Sequence, residues 1–137
     1  MSEPLKTILC VDDDADDLIL LKQAIHQIDS GYQIIEANDG VQALDILHQL
    51  KDTDNLPCLI VLDINMPRMD GKQTLVEIQQ HDTLSSIPVV MFTTSSSMLD
   101  KKFSDSKKVE LITKPINVSN LITTARKFLN YCDAGVN

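Results

Sequence analysis

The sequence has no apolar run that approaches the roughly 20 residues needed for a membrane-spanning helix. Residues 1–6 also lack the apolar core of a signal peptide. These two absences predict a cytoplasmic protein that is not anchored in a membrane.

Basic side chains are scarce as well. The chain has 12 Lys and Arg against 20 Asp and Glu, which gives a formal net charge of −8. Non-specific nucleic-acid binding requires a basic surface, and so does attachment to an anionic membrane through a polybasic segment. We therefore expect partners other than nucleic acid or a lipid surface.

Cysteine is rare, and its positions do not suggest a metal site. The three residues, Cys10, Cys58 and Cys132, are odd in number, widely spaced and without a metal-type pairing. Cys10 and Cys58 lie inside apolar runs. This pattern predicts buried thiols in a protein from a reducing compartment.

Internal repeats, low-complexity segments and linkers are also absent from the 137 residues. A chain of this length fits one domain and can bury roughly 65–70% of its unfolded surface. We expect a single domain over residues 1–137, with its core at about residues 6–131 and a short C-terminal tail.

Short apolar runs predict five β-strands, each followed by a helix. The strands are predicted at residues 7–11, 32–36, 58–63, 87–93 and 109–113. The helices are predicted after residue 14, after Asp39, after Gly71, at residues 98–106 and from Val118 to Cys132. Strands that alternate with helices in this way are typical of a parallel sheet covered on both faces, with right-handed crossovers.

Side chains with useful chemistry lie at the ends of four of the five predicted strands. Asp12 and Asp13 follow the first strand and Lys114 follows the fifth, while Asp63 ends the third and Thr93 ends the fourth. In open α/β sheets, binding sites collect at the carboxyl ends of the strands. We therefore expect these five distant residues to meet at one edge of the sheet.

The residue types at this edge suit phosphoryl transfer. Clustered carboxylates and a backbone carbonyl form the hard oxygen site that Mg²⁺ prefers. A bound dication would offset the repulsion among Asp12, Asp13 and Asp63, and would leave Asp63 ionised and able to attack phosphorus. Lys114 and Thr93 would supply a cation and a hydroxyl donor to two phosphoryl oxygens.

Two interpretations stay open for the other acidic residues of the first cluster, Asp14, Asp16 and Asp17. Acidic side chains are favoured at helix N-termini, so the three residues can form a solvated turn and helix cap. Alternatively, they take part in the chemistry of the site.

Four segments of the chain, in order and spacing, resemble a response-regulator receiver domain of two-component signalling. The segments are residues 8–13, 62–71, 91–94 and 112–115. The resemblance covers nearly the whole chain. It implies an α/β, flavodoxin-like, doubly wound sheet of five parallel strands in the order 2-1-3-4-5 with five helices.

The resemblance also implies a role for each acidic residue. Asp63 would accept a phosphoryl group from a phosphohistidine on a sensor histidine kinase or a phosphotransfer protein. Asp13 and Asp63 would bind Mg²⁺ directly, together with the backbone carbonyl of Asn65, and Asp12 would act through bound water. The protein would then be a signalling phosphoacceptor, with self-phosphorylation and self-dephosphorylation as its only chemistry.

The fourth and fifth strands match the family in part. Thr93 and Lys114 would contact the phosphoryl group, and the resemblance implies a cis peptide bond between Lys114 and Pro115. Receivers that signal through a rotating aromatic residue usually carry it three positions before the lysine, where this chain has Leu111. The usual Gly-Ala before the fifth strand is replaced by residues 106–108, so signal transmission through these elements is expected to differ.

Three classes of function compete at this point. The first is a phosphorylation-dependent switch whose output is binding. The second is a turnover phosphohydrolase, which usually carries a second carboxylate two residues after the nucleophile, where this chain has Asn65. The third is a receiver-like module that is not phosphorylated, and the intact set of acidic, Thr and Lys residues argues against it.

No output domain follows the last predicted helix in this sequence. If the chain is complete, we expect a stand-alone receiver that docks to an unidentified downstream protein or passes the phosphoryl group onward. A homodimer is left open.

Overall fold

The structure is a computed structural model that describes residues 6–94 and 97–134, in which strands and helices alternate. The strands are β1 (Thr7–Val11), β2 (Gln33–Ala37), β3 (Leu59–Leu62), β4 (Val89–Thr93) and β5 (Glu110–Thr113). The helices are α1 (Ala15–Ile28), α2 (Gly40–Lys51), α3 (Gly71–Gln80), α4 (Met98–Ser106) and α5 (Val118–Ala134). One turn of 3₁₀-helix, Leu84–Ser86, precedes β4.

The strands form one parallel sheet in the order β2-β1-β3-β4-β5. The predicted fold class is therefore confirmed. The first strand and α4 have the predicted bounds, whereas the other strands are shortened or shifted by one or two residues. The third strand ends at Leu62, which leaves Asp63 in the loop that follows.

Helices cover both faces of the sheet, and this explains why the strands read as nearly continuous apolar runs. On one face, Ile8 of β1 packs in a cluster with Ile25 of α1 and Phe128 of α5. On the other face, Leu9 of β1 packs in a second cluster with Leu47 of α2. The central strands are thus covered on both faces, and their side chains can reach a site mainly at the strand ends.

The last turn of α5 is attached at the amino ends of the strands. Cys132 forms a disulfide with Cys58, which directly precedes β3, and their Cα atoms are 5.0 Å apart. The next residue, Asp133, accepts hydrogen bonds from Lys6 Nζ at 3.0 Å and from Tyr32 Oη at 3.1 Å. This end of α5 is therefore held by one covalent and two polar contacts.

The prediction of three buried thiols is wrong for Cys58 and Cys132. The two residues are 74 positions apart, and they meet only because α5 packs across the sheet. Cys10 is a buried thiol as predicted, and burial together with the charges of Glu36 and Asp12 raises its pKa to about 12. The cysteines no longer argue for a reducing compartment, and a cytoplasmic location stays a prediction.

The segment before β5 forms a tight turn without glycine. Lys108 adopts a φ of 60° there, in the left-handed region that favours glycine. Val109 N then donates to Ser104 O at 3.0 Å. Leu111, at the position where an aromatic residue is usual, is half-buried in β5 against the cluster that contains Leu47. How a signal would pass through β5 stays open.

None of the helices within the described ranges combines the length and the apolar character needed to cross a membrane. At the C-terminus, α5 continues to Ala134, beyond the predicted end of the core at residue 131. The rest of the predicted tail, residues 135–137, lies outside the described residues.

Candidate functional site

The centre of the site is a pair of buried carboxylates at the ends of β1 and β3. Val11 is paired with Leu62 in the sheet, so Asp12 and Asp63, which follow them, lie side by side. Asp63 N donates to Val11 O at 3.0 Å, which continues the ladder past the end of β3. Asp12 is 6% exposed and Asp63 is 7% exposed. Two carboxyl groups are thus held next to each other with little access to water.

Asp13 extends this pair to a cluster of three carboxylates. It is exposed, and one oxygen from each of Asp12, Asp13 and Asp63 lies within 4.8 Å of the others. The oxygen Oδ1 of Asp12 also accepts a hydrogen bond from Asp14 N at 2.9 Å, which fixes its orientation. Three converging carboxylate oxygens are the donor set that a hard divalent cation prefers.

Lys114 brings one positive charge to this cluster from the end of β5. Its Nζ lies 2.6 Å from Asp12 Oδ2, 2.9 Å from Asp17 Oδ2 and 3.7 Å from Asp63 Oδ2. The side chain of Lys114 is 9% exposed. Burial by itself would lower the pKa of this ammonium, but its hydrogen bonds to Asp12 and Asp17 outweigh burial and raise the pKa. Lys114 is therefore a fixed cation shared by three carboxylates.

The electrostatics of Asp63 differ from those of an ordinary aspartate. Burial and the negative charge of Asp12 raise its pKa from 3.8 to about 7, and the ammonium of Lys114 opposes this rise. Without further positive charge, a large share of Asp63 is therefore protonated near neutral pH, unlike an ordinary aspartate.

Thr93 lies at the same edge, next to Lys114. It is fully buried at the end of β4, where it pairs with Thr113 of β5. Its carbonyl oxygen accepts a hydrogen bond from Lys114 N at 2.6 Å. The backbone of Thr93 thus helps to aim the lysine, while a role for its hydroxyl group stays a prediction.

The loop between β3 and α3 carries Asn65, whose backbone carbonyl is the predicted fourth metal ligand. Asn65 itself is exposed. Further along the loop, Arg68 adopts a φ of 65°, and its guanidinium pairs with the buried Asp39, the N-cap residue of α2. This ion pair attaches the loop that carries Asn65 to the start of α2.

The predicted cis bond before Pro115 is wrong. No peptide bond within the described residues is cis, so the Lys114–Pro115 bond is trans. The trans isomer of such a bond is favoured intrinsically by about 0.5–1 kcal/mol. With the bond in the trans form, Lys114 Nζ contacts the carboxylates of Asp12 and Asp17.

Sequence reasoning did not assign Asp17 as a partner of Lys114. Asp17 lies in the first turn of α1, which begins four residues after the end of β1. The contact depends on how this first turn is oriented above the sheet, which local sequence patterns do not specify. The density of carboxylates around residue 12 was the only signal, and it does not select among Asp14, Asp16 and Asp17.

The residues of this site fit a divalent cation. Three carboxylates, from Asp12, Asp17 and Asp63, share the ammonium of Lys114, and the carboxylate of Asp13 lies beside Asp12 and Asp63. Two of these acids are nearly inaccessible to solvent, so water does little to screen the excess negative charge. A dication would offset that excess, and the hard oxygen donors match magnesium or manganese.

We expect the Asp63→Asn variant to be more stable than the wild-type protein when metal ions are absent. A carboxyl group whose folded pKa of about 7 exceeds its usual 3.8 binds its proton more tightly in the folded state. The free energy of unfolding therefore falls as the pH rises from about 4 to above 7. Asparagine removes this loss, which predicts a gain of roughly 2–4 kcal/mol at pH 8 and a smaller gain at pH 5.

Urea unfolding in a metal chelator at both pH values measures this effect. Asp45→Asn, which neutralises an exposed aspartate on α2, is the matched control and should change stability little. Equal effects of the two substitutions at pH 8 would contradict the argument.

Comparison with known proteins gives one family. The family model "Response regulator receiver domain" matches residues 8–126. The chain is 38% identical over 96 residues to response regulator Rcp1 from Synechocystis sp., covering 69% of this chain and 65% of that protein. It is 35% identical over 127 residues to the transcriptional regulatory protein CpxR from Escherichia coli, covering 91% of this chain and 50% of that protein. In these sequence alignments the chain thus covers about two thirds of the length of Rcp1 and half of that of CpxR.

Two solved structures are similar over almost their entire length. The phosphorylated cyanobacterial phytochrome response regulator RcpA has a TM-score of 0.86 and 30% identity, with 98% of both chains covered. The Mn²⁺-bound form of Rcp1 has a TM-score of 0.81 and 32% identity, with 96% of this chain and 97% of that chain covered. The first was solved in a phosphorylated form and the second with a divalent cation.

Proposed function

This chain belongs to the response-regulator receiver domain family of two-component signalling, and we propose that it takes a phosphoryl group onto Asp63 in a Mg²⁺-dependent reaction. The phosphoryl group would come from a sensor histidine kinase or a phosphotransfer protein. Its arrival would change the binding of a downstream protein, or the group would be relayed to another protein. The phosphoryl donor and the downstream protein are both expected in the cytoplasm.

One observation carries this proposal: a buried carboxylate lies within reach of both a buried ammonium and two further carboxylates. The Lys114 ammonium is 3.7 Å from Asp63, and the oxygens of Asp12 and Asp13 lie within 4.8 Å of the Asp63 oxygen. A structural carboxylate buried for stability would need one partner of opposite charge, not two like charges beside it. The arrangement suits a nucleophile in a site that is completed by a cation and an anionic phosphoryl group.

The transfer follows from these positions. A carboxylate oxygen of Asp63 forms a bond to phosphorus while the bond between phosphorus and the donor imidazole nitrogen breaks, and the electron pair of that bond stays on the nitrogen. Lys114 neutralises part of the charge on the phosphoryl oxygens, and the Thr93 hydroxyl donates to one of them. Phosphoryl transfer requires mainly such positioning and charge neutralisation.

The metal has one task in this proposal. Mg²⁺ would be held by Asp13 and Asp63 and by the backbone carbonyl of Asn65, while Asp12 would act through bound water. When bound, the ion would offset the charge of the carboxylates and of the phosphoryl group. The cluster of three carboxylate oxygens supports this assignment. The Mn²⁺-bound form of the similar Rcp1 supports it as well.

Intact mass spectrometry tests the proposal directly. The protein is incubated with a small phosphodonor and Mg²⁺, and we expect one phosphoryl group on the wild type and on the control Asp45→Asn. We expect none on Asp63→Asn and none on the wild type when a chelator removes the metal. A modification that persists in Asp63→Asn, or that forms equally well with the metal chelated, would overturn the assignment.

A further inference from the structure

We propose that Asp17 is a positioning residue that competes with the phosphoryl group for the Lys114 ammonium and thereby weakens the phosphorylated state. This inference rests on the proposed role of Asp63 as phosphoacceptor. It concerns a residue outside the predicted set of site residues, and it gives the first turn of α1 a part in setting the phosphorylation equilibrium.

The geometry shows where the ammonium is held. Lys114 Nζ donates hydrogen bonds to Asp12 at 2.6 Å and to Asp17 at 2.9 Å. Its distance of 3.7 Å from Asp63 is too long for a hydrogen bond, although the two charges attract each other. Two of the three N–H donors of the ammonium are therefore engaged by carboxylates other than that of Asp63.

Asp17 differs from the other two partners of Lys114 in one respect. Asp12 and Asp63 belong to the cluster of oxygens that suits a metal ion, and Asp17 does not. A cation in that cluster would offset the charges of Asp12 and Asp63 and leave the charge of Asp17 intact. Asp17 would then be the strongest remaining competitor for Lys114 when a phosphoryl group arrives on Asp63.

The position of Asp17 is fixed by the helix start. The side chain of Asp14, the N-cap residue of α1, accepts hydrogen bonds from the backbone N–H groups of Asp16 and Asp17. The side chain of Asp17 is 33% exposed, so its ion pair with the nearly buried Lys114 is only partly screened by water. To contact a phosphoryl group, the ammonium must give up or share this interaction.

Asp16 offers a matched control. It lies in the same helix turn, carries the same charge and makes the same backbone contact to Asp14, but it is exposed and forms no ion pair among the residues that the structure describes. Neutralising Asp16 or Asp17 therefore has the same effect on net charge and a similar effect on the helix dipole. Only the Asp17 substitution releases Lys114.

The experiment measures binding of beryllofluoride, an analogue of a carboxylate-bound phosphoryl group, at a fixed Mg²⁺ concentration. We expect Asp17→Asn to lower the half-saturating concentration about fivefold, the size of one partly exposed ion pair. Asp16→Asn should stay close to the wild-type value, and Asp17→Glu, which keeps the charge, should restore most of the wild-type value. When Asp63 is phosphorylated by a small phosphodonor, Asp17→Asn should lower the KM for the phosphodonor more than it changes the kcat of phosphorylation.

Thermal unfolding of each variant establishes that it is folded. A half-saturating concentration for Asp17→Asn that is unchanged, or higher than in the wild type, overturns the proposed role of Asp17. Loss of the ion pair with Asp17 would then not strengthen the contact between Lys114 and the bound analogue. Failure of the proposed function has a different signature: the wild-type protein would bind no beryllofluoride, or Asp63→Asn would bind it equally well.

Discussion

Replacing Gly71 by alanine is expected to destabilise the protein by about 3 kcal/mol, near the upper end of the usual range for overpacking a core. A Cβ atom at this position would lie 2.1 Å from the carbonyl oxygen of Asp63 and 2.8 Å from the Cα of Ile64. Both atoms belong to the backbone and cannot rotate away. The clash therefore forces α3 and the end of β3 apart.

The same substitution should also impair phosphorylation. Gly71 is the first residue of α3, and its N–H donates to Ile64 O at 2.8 Å, which closes the loop that follows Asp63. Any movement that relieves the clash displaces the backbone of Asp63 relative to Asp12 and Lys114. Reactivity at a positioned nucleophile is sensitive to displacements of about 1 Å, so we expect the phosphorylation rate to fall by about 100-fold.

Urea unfolding and phosphorylation by a small phosphodonor measure the two effects. Gly31→Ala is the matched control, because the added Cβ would meet only the side-chain oxygen Oδ1 of Asp29, at 3.1 Å, and that side chain can move. We expect this control to change stability by less than about 0.5 kcal/mol. A Gly71→Ala variant as stable as Gly31→Ala would contradict the close contact between α3 and β3.

Loss of the disulfide is expected to lower the free energy of unfolding by about 4 kcal/mol, as chain entropy predicts for a large closed loop. The bond joins residues 74 positions apart, so it excludes many conformations from the unfolded chain. Cys58→Ser is the better variant for this test, since Cys58 is partly exposed whereas Cys132 is 1% exposed and would leave a buried hydroxyl group.

The measurement compares urea unfolding with and without a reductant for the wild type and for Cys58→Ser. The reductant should destabilise the wild type to the level of the variant and should leave the variant unchanged. Thiol titration of the unfolded, unreduced wild type should find only Cys10. Three free thiols, or a reductant effect that persists in Cys58→Ser, would contradict the disulfide.

The edge of the sheet that carries the site could be predicted because it depends on periodic features. Short runs of branched apolar residues specify buried strands, and alternation with helices makes those strands parallel. Parallel strands must place their following residues at one edge, so Asp12, Asp63 and Lys114 converge without any information about individual contacts. The register of the sheet then determines which of these residues are neighbours: Val11 lies opposite Leu62, so Asp12 lies beside Asp63.

Contacts that depend on the orientation of side chains could not be predicted in the same way. The helix predicted after Asp39 is α2, and the side chain of Asp39 caps it by accepting a hydrogen bond from Gln42 N at 2.8 Å. Its second oxygen binds Arg68, 29 residues further along, in a loop whose left-handed backbone no local pattern indicated. The backbone N–H of Gln42 and the guanidinium of Arg68 together hold the pKa of Asp39 below its usual value.

The attachment of α5 at its last turn has a mechanical consequence. A rigid rod fixed at one end can only pivot about that end. Here the fixed end is Cys132, bonded to Cys58, and the opposite end begins at the exposed Val118, four residues after Lys114. The cross-link therefore restrains the end of α5 at Cys132 more than the end at Val118, and any displacement of the helix would be larger at Val118 than at the disulfide.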